Sequence, residues 1–245
     1  MEIIAIGNKK GGVGKTTTAV NLAGALAKLE KSVLLIDLDS QACASTWLTG
    51  SQASVGTGIY EVLVNKADVT SQIVKTPFGI DVVKADITMT KLDRDLQETV
   101  NRDHRLARAL AQIQDKYDYV IIDCPPSLAL ASINAFVAAT KIIVPVDCRI
   151  EAFEATSRVL DTCQEISEEL GVQFKIYALP TFFKRTRIAQ QVVKALQEKF
   201  SGMVLPEIRE NTRLPESFGT REPIFTYDHT ASGAVDYTEV AKNVA

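Results

Sequence analysis

Short, unbroken apolar runs alternate along this chain with longer stretches in which apolar residues recur every three or four positions. The runs are IIAIG (3–7), VLLID (33–37), YVIID (119–123) and IIVPV (142–146), with FKIYAL (174–179) a weaker fifth. Rich in β-branched residues and bounded by polar or glycine positions, they predict strands covered on both faces, as in a parallel sheet. Between them, Ala19, Leu22, Ala23, Leu26 and Leu29 fall on one helical face. So do Ala152, Ala155, Val159, Cys163, Ile166 and Leu170, and then Ile188, Val192, Val193, Leu196 and Phe200. Strand, helix, strand repeated in this way predicts an α/β fold: an open, mostly parallel twisted sheet with right-handed crossovers and helices on both faces. Ligands of such sheets sit at the carboxyl ends of the strands. Residues 50–100 alternate short helical and extended patterns without a long period. No Pro/Gly-rich linker, repeat or low-complexity tract divides the sequence, so residues 1–245 read as a single domain.

Composition narrows the class. The chain is 46% hydrophobic and 23% charged, and no segment approaches the run of about 18 apolar residues that a membrane span needs. Glu2, Lys9 and Lys10 interrupt the first apolar run, which argues against a signal peptide and for a cytoplasmic protein. Cys43, Cys124, Cys148 and Cys163 show no CxxC pairing, and the two histidines, His104 and His229, are not at metal-ligand spacing from them. Reduced, mostly buried thiols are the expectation. A net charge of −3 gives no global attraction to nucleic acid, so any such binding requires a local basic patch.

The chemistry concentrates after the first strand, in NKKGGVGKTTT (8–18). The phosphate-loop pattern G-x-x-x-x-G-K-[ST], ending on Gly14, Lys15 and Thr16, requires glycine at position 9, where the chain has Lys9 followed by Lys10. The strand–loop–helix context is nevertheless the expected one. Gly11, Gly12, Val13 and Gly14 let backbone N–H groups converge on phosphate oxygens at a helix N-terminus. Lys15 supplies a point charge for the β- and γ-phosphates, and the Thr16 hydroxyl suits Mg²⁺. Asp37, Asp39 and Asp123 follow two apolar strands. Asp123 takes the Walker B role of holding Mg²⁺, directly or through water. Helix capping is the competing reading, weighed mainly for Asp37.

KGGVGKTT with Lys10 first, LLIDLDSQ (34–41) and YDYVIIDCPPS (117–127), in that order, resemble the deviant Walker A ATPases of the ParA/Soj partition family. The resemblance continues through EPIFTYD (222–228) and GAVDYTEVAKNV (233–244). It implies a Mg²⁺-dependent ATPase that closes into a face-to-face homodimer around two ATP molecules. Lys10 matches the lysine that reaches the partner's nucleotide, where a charge delivered in trans would make hydrolysis conditional on assembly. Asp39 is implied to orient the attacking water and Thr17 to contact the α-phosphate region. Ser40 stands where the family usually has proline.

The same resemblance implies nonspecific DNA binding, nucleoid association and stimulation by a ParB-like partner in chromosome or plasmid partition. Positioning of a protein cargo through an adaptor is the alternative. Lys184, Arg185 and Arg187 precede a helix whose dipole they oppose, a cost that a bound phosphodiester reverses. With Arg213 they are the candidate DNA contacts, and a solvated basic turn is the rival reading. NKAD (65–68) matches a guanine-recognition string but precedes the Walker B strand instead of following it, so it reads as chance. Adenine is approached in the family by a loop reading I-P-R-N. Here Asn211 matches the asparagine, while Arg209 and Glu210 replace Pro-Arg. The C-terminal segment carries a single base, Lys242, and reads as a docking helix, so a MinD-like membrane role comes third, behind partition and cargo positioning. Cys124 and Cys148 do not provide the positions an iron–sulfur reductase needs.

Overall fold

A computed structural model describes residues 1–149, 164, 167–200 and 203–245. Its centre is a seven-stranded sheet in the order β3-β4-β2-β5-β1-β6-β7. The strands are β1 (Glu2–Ile6), β2 (Val33–Asp37), β3 (Ile73–Lys75), β4 (Ile80–Val83), β5 (Tyr119–Asp123), β6 (Lys141–Asp147) and β7 (Lys175–Thr181). Every pairing is parallel except β3 with β4. All five apolar runs are strands, and β7 runs to Thr181, two residues beyond the predicted segment. The difficult stretch 50–100 supplies β3 and β4, the antiparallel margin of the sheet.

Side chains of the central strands alternate between two cores. Ile4, Ile6 and Ile121 pack with Leu22 and Leu26 of helix α1 (Lys15–Lys28) on one face. Ala5, Val120 and Ile122 pack with Phe136 and Leu106 on the other. Residues buried on both faces explain why these strands read as continuous apolar runs. The predicted α1 stripe holds except at its end, since Leu29 lies just past the last helical residue and is 37% exposed. In the Arg187–Lys199 helix, Ala189, Leu196 and the following Phe200 are buried, but Ile188 is 62% exposed. Ile188 sits in the first turn, beside exposed Arg187. Of the helical pattern Ala152, Ala155, Val159, Cys163, Ile166 and Leu170, the first five lie outside the described residues, and Leu170 is helical and packs partly buried against the Phe136 core.

The C-terminal helix Ser232–Val244 docks on α1. Tyr237, Val240, Ala241 and Val244 are buried in the same core as Leu22 and Leu26, and the Tyr237 hydroxyl meets that of Thr18 at 3.2 Å. Its apolar spacing therefore serves packing, as expected. Among the described residues no helix is long and apolar enough to cross a membrane.

Candidate nucleotide cleft and its basic margin

Two side chains pin the loop between β1 and α1 at its ends. Buried Asn8 donates to the Pro145 carbonyl at 2.7 Å and accepts from the Lys10 amide at 3.0 Å. At the far end the Thr181 hydroxyl donates to the Val13 carbonyl at 2.9 Å. Gly12 and Gly14 have φ of 72° and 90°, a region that other residues enter at a cost. Gly14 caps α1 with no side-chain hydrogen bond, so the first-turn amides of the helix are left to an external acceptor. Lys15 is buried, and its ammonium donates to the Lys10 carbonyl at 3.0 Å. Burial draws its pKa below the ordinary lysine value, against the pull of Asp123 and Asp39. Lys10 differs: among the described residues no carboxylate lies within ion-pair distance of it.

Parallel register sets Asp37 opposite Asp123 at the carboxyl ends of β2 and β5. Their surroundings give them different jobs. Asp37 accepts from the Ser45 amide at 2.8 Å, the Ser45 hydroxyl at 2.7 Å and the Asp39 amide at 3.0 Å. It therefore anchors the start of helix α2 (Cys43–Thr49) and the turn that presents Asp39, which is the capping reading. Burial pushes its pKa up to about 6 despite these bonds. Asp123 is fully buried, and neither carboxylate oxygen has a hydrogen-bond partner. Burial, and then the neighbouring Asp37, hold its pKa well above the carboxylate range, with Thr16 and Lys15 opposing. An orphaned carboxylate beside a threonine hydroxyl is the donor set a hard divalent cation takes, so these residues fit Mg²⁺. Among the described residues no group of three or more His, Cys, Asp or Glu could hold a metal, so such a cation would share its shell with phosphate oxygens and water. Asp39 is half-buried and held by its own turn, accepting from the Gln41 amide at 2.9 Å.

A cleft of about 630 Å³ runs from Gly14, Thr16 and Thr17 to the 208–218 segment. Asn211 lines it, but both ends of its amide are engaged, donating to the Ser232 hydroxyl and accepting from the Arg213 amide, each at 2.6 Å. The substituted Arg209 forks onto buried Asp236 of the C-terminal helix at 2.6–3.1 Å. Residues that sequence reasoning missed also line the cleft. Trp47 and Phe218 form an edge-to-face pair at 5.1 Å, and Arg149 lies over the Phe182 ring at 3.8 Å. No periodicity or motif marks any of them, because each depends on a contact across many residues. The NKAD segment is absent from this lining, and Asp68 instead caps a short 3₁₀ turn.

The candidate DNA residues divide in two. Lys184 is in contact with the Glu210 carboxylate, and Arg213 lies 2.8 Å from Glu216 and 3.6 Å from Asp228. Arg185 and Arg187 are exposed, with no carboxylate in ion-pair distance among the described residues. Thr186 caps the helix that follows, accepting from the Ala189 amide at 3.2 Å. Cys124 and Cys148 are buried and in no disulfide, Cys43 is half-buried at the cleft wall, and Cys163 lies outside the described residues.

The family described as AAA domain matches residues 1–176. The chain is 40% identical to the sporulation initiation inhibitor protein Soj of Bacillus subtilis, with 100% of this chain and 98% of that protein covered. It is 36% identical to the chromosome partitioning protein ParA of Caulobacter vibrioides, covering 100% and 94%. A plasmid partition protein of Borrelia burgdorferi solved with AMPPNP superposes with a TM-score of 0.85 at 27% identity, over 98% and 97% of the two chains. Cobyrinic acid a,c-diamide synthase of Mycobacterium smegmatis, solved with an ATP analogue and magnesium, superposes with a TM-score of 0.89 at 30% identity, over 100% and 94%. With the glycine loop, the two strand-end aspartates and the additional lysine in place, the chain belongs to this AAA domain family and, within it, to the ParA/Soj group of partition ATPases.

Proposed function

We propose that the protein is a Mg²⁺-dependent ATPase switch that dimerises around ATP, binds DNA without sequence preference and drives chromosome or plasmid partition when a ParB-like partner stimulates hydrolysis. The contrast between Lys15 and Lys10 carries the reading. Lys15 is tucked against its own loop beside the orphaned Asp123, while Lys10 has no carboxylate partner among the described residues and is available to a second copy. Mg²⁺ bound there would neutralise part of the triphosphate charge. The α1 amides and Lys15 would hold the phosphates, Asp123 and Thr16 would hold the cation, and Asp39, fixed by its turn, would orient water. Lys10 of the second copy adds positive charge to the transferring oxygens, so turnover waits for association.

Relatives named as chromosome and plasmid partition proteins favour DNA over a protein assembly as the cargo. Exposed Arg185 and Arg187 support a phosphate-binding surface, which would place the protein on the nucleoid. Sedimentation with Mg²⁺ and a nonhydrolysable ATP analogue tests the central step. A dimer dependent on both is expected, and monomers alone at high concentration would overturn it.

A further inference from the structure

One short chain of contacts joins the cleft to the basic turn. Thr181, bonded to the Val13 carbonyl of the phosphate loop, is followed by Phe182 with φ of 51°, a left-handed conformation that is costly for an aromatic residue. The Phe182 ring carries the Arg149 guanidinium, which also forks onto Asp147 at 2.9 and 3.1 Å. Phe183 donates its amide to Ile208 at 3.0 Å and accepts from the Glu210 amide at 3.1 Å. This lacing delivers the Glu210 carboxylate to a point 3.6 Å from Arg149 and in contact with Lys184. Arg149, Phe182 and Glu210 line the cleft, whereas Lys184 belongs to the candidate DNA turn.

We infer that Glu210 is an autoinhibitory counter-ion shared by the two sites, standing where nucleotide would meet Arg149 and where a DNA phosphate would meet Lys184. The inference rests on the nucleotide-and-DNA reading above. A polyanion arriving at either cation competes with the same carboxylate, although Arg149 keeps Asp147 as its nearer partner, and the strained Phe182 holds the two cations close enough to share Glu210. Both cations are more than a third exposed, so solvent screening limits the effect on each equilibrium to about two- to fivefold.

The test uses the full chain with Glu210→Gln, and with Glu207→Gln as a control that removes the same charge from a nearby exposed position. Titrations with N-methylanthraniloyl-ATP plus Mg²⁺, and with a fluorescein-labelled DNA duplex, read the two sites. Glu210→Gln is expected to tighten both by about two- to fivefold, beyond any change in Glu207→Gln. Adding Lys184→Gln to Glu210→Gln should cancel the gain on DNA and leave the gain on nucleotide. Equal behaviour of the Glu210 and Glu207 variants, a gain at one site only, or weaker nucleotide binding in Glu210→Gln would overturn the inference. Wild-type protein that binds nucleotide but no duplex under any condition would instead refute the DNA half of the proposed function.

Discussion

Replacing Asp123 by asparagine is expected to stabilise the protein in the absence of metal and nucleotide, although it removes a residue of the site. The carboxylate is fully buried and makes no hydrogen bond, and its burial and the facing Asp37 outweigh the pull of Thr16 and Lys15. An ion in such a place costs several kcal/mol, while an amide with its bonds unmade costs about 1–3 kcal/mol, so the net gain is on the order of 2 kcal/mol. For a domain of this size that is roughly 4–8 °C in melting temperature. The sign with pH follows from the raised pKa. A carboxyl that binds its proton more tightly when folded destabilises the fold increasingly as pH rises from its unfolded to its folded pKa. The advantage of the variant should therefore be full at alkaline pH and shrink as pH falls through the folded pKa of Asp123. With Mg²⁺ and a nonhydrolysable ATP analogue the ranking should change. Ligand at a hundred times Kd adds about 2.7 kcal/mol to wild type, and the variant keeps only the metal-independent part. Differential scanning calorimetry in EDTA and then in Mg²⁺–nucleotide, across pH, measures all of this. A variant that melts below wild type in EDTA at alkaline pH would mean that the ionised carboxylate has a stabilising partner, which refutes the reasoning from its burial.

Lys10→Ala should retain most nucleotide affinity but lose turnover by a factor approaching the 10³–10⁵ of a charge supplied in trans, read as partner-stimulated phosphate release. Normal stimulated hydrolysis would remove Lys10 from the transition state. Arg185→Ala should weaken duplex retention and flatten the log–log salt dependence by about 0.9 for each phosphate no longer neutralised, and an unaltered slope would return the 182–187 turn to simple solvation. Tyr237→Phe deletes the buried hydrogen bond with Thr18 and should cost about 1–2 kcal/mol in urea unfolding, because the Thr18 hydroxyl is then left without its partner. No change would mean that this bond is neutral.

Much of this architecture could be read from residue order. Strands buried on both faces declare themselves by unbroken apolar runs, and a glycine loop between such a strand and a helix carries its own meaning. What escaped reading depends on pairings made across the chain. β3 and β4 are only three and four residues long, and β4 includes Asp81, tolerated because Tyr117 and Lys75 both reach its carboxylate at 2.6 Å. Local sequence presents that segment as broken and polar. Asp123 was assigned the cation from its place after a strand, but that Asp37 is a cap could not be read, since it rests on hydrogen bonds from Ser45 that only the fold supplies. Lys184 and Arg213 read as free charges, but their neutralisation by Glu210, Glu216 and Asp228 is a matter of folded geometry. Arg149 had no signal at all. Its role comes from a ring 33 residues away that the chain holds in a disfavoured conformation.

The outer strands constrain how copies can meet. β3 is short, runs against its neighbours and carries a lysine fastened to Asp81, while β7 is flanked by bridges at Val204 and Arg209. Among the described residues neither margin presents a long open row of backbone donors and acceptors for a foreign strand to zip onto. Templated, fibre-like growth is thereby disfavoured, and the association proposed above would fall to the ends that bear the ligand loops. Assembly made there can be undone by chemistry on a small molecule, a property that a polymer built strand upon strand would lack.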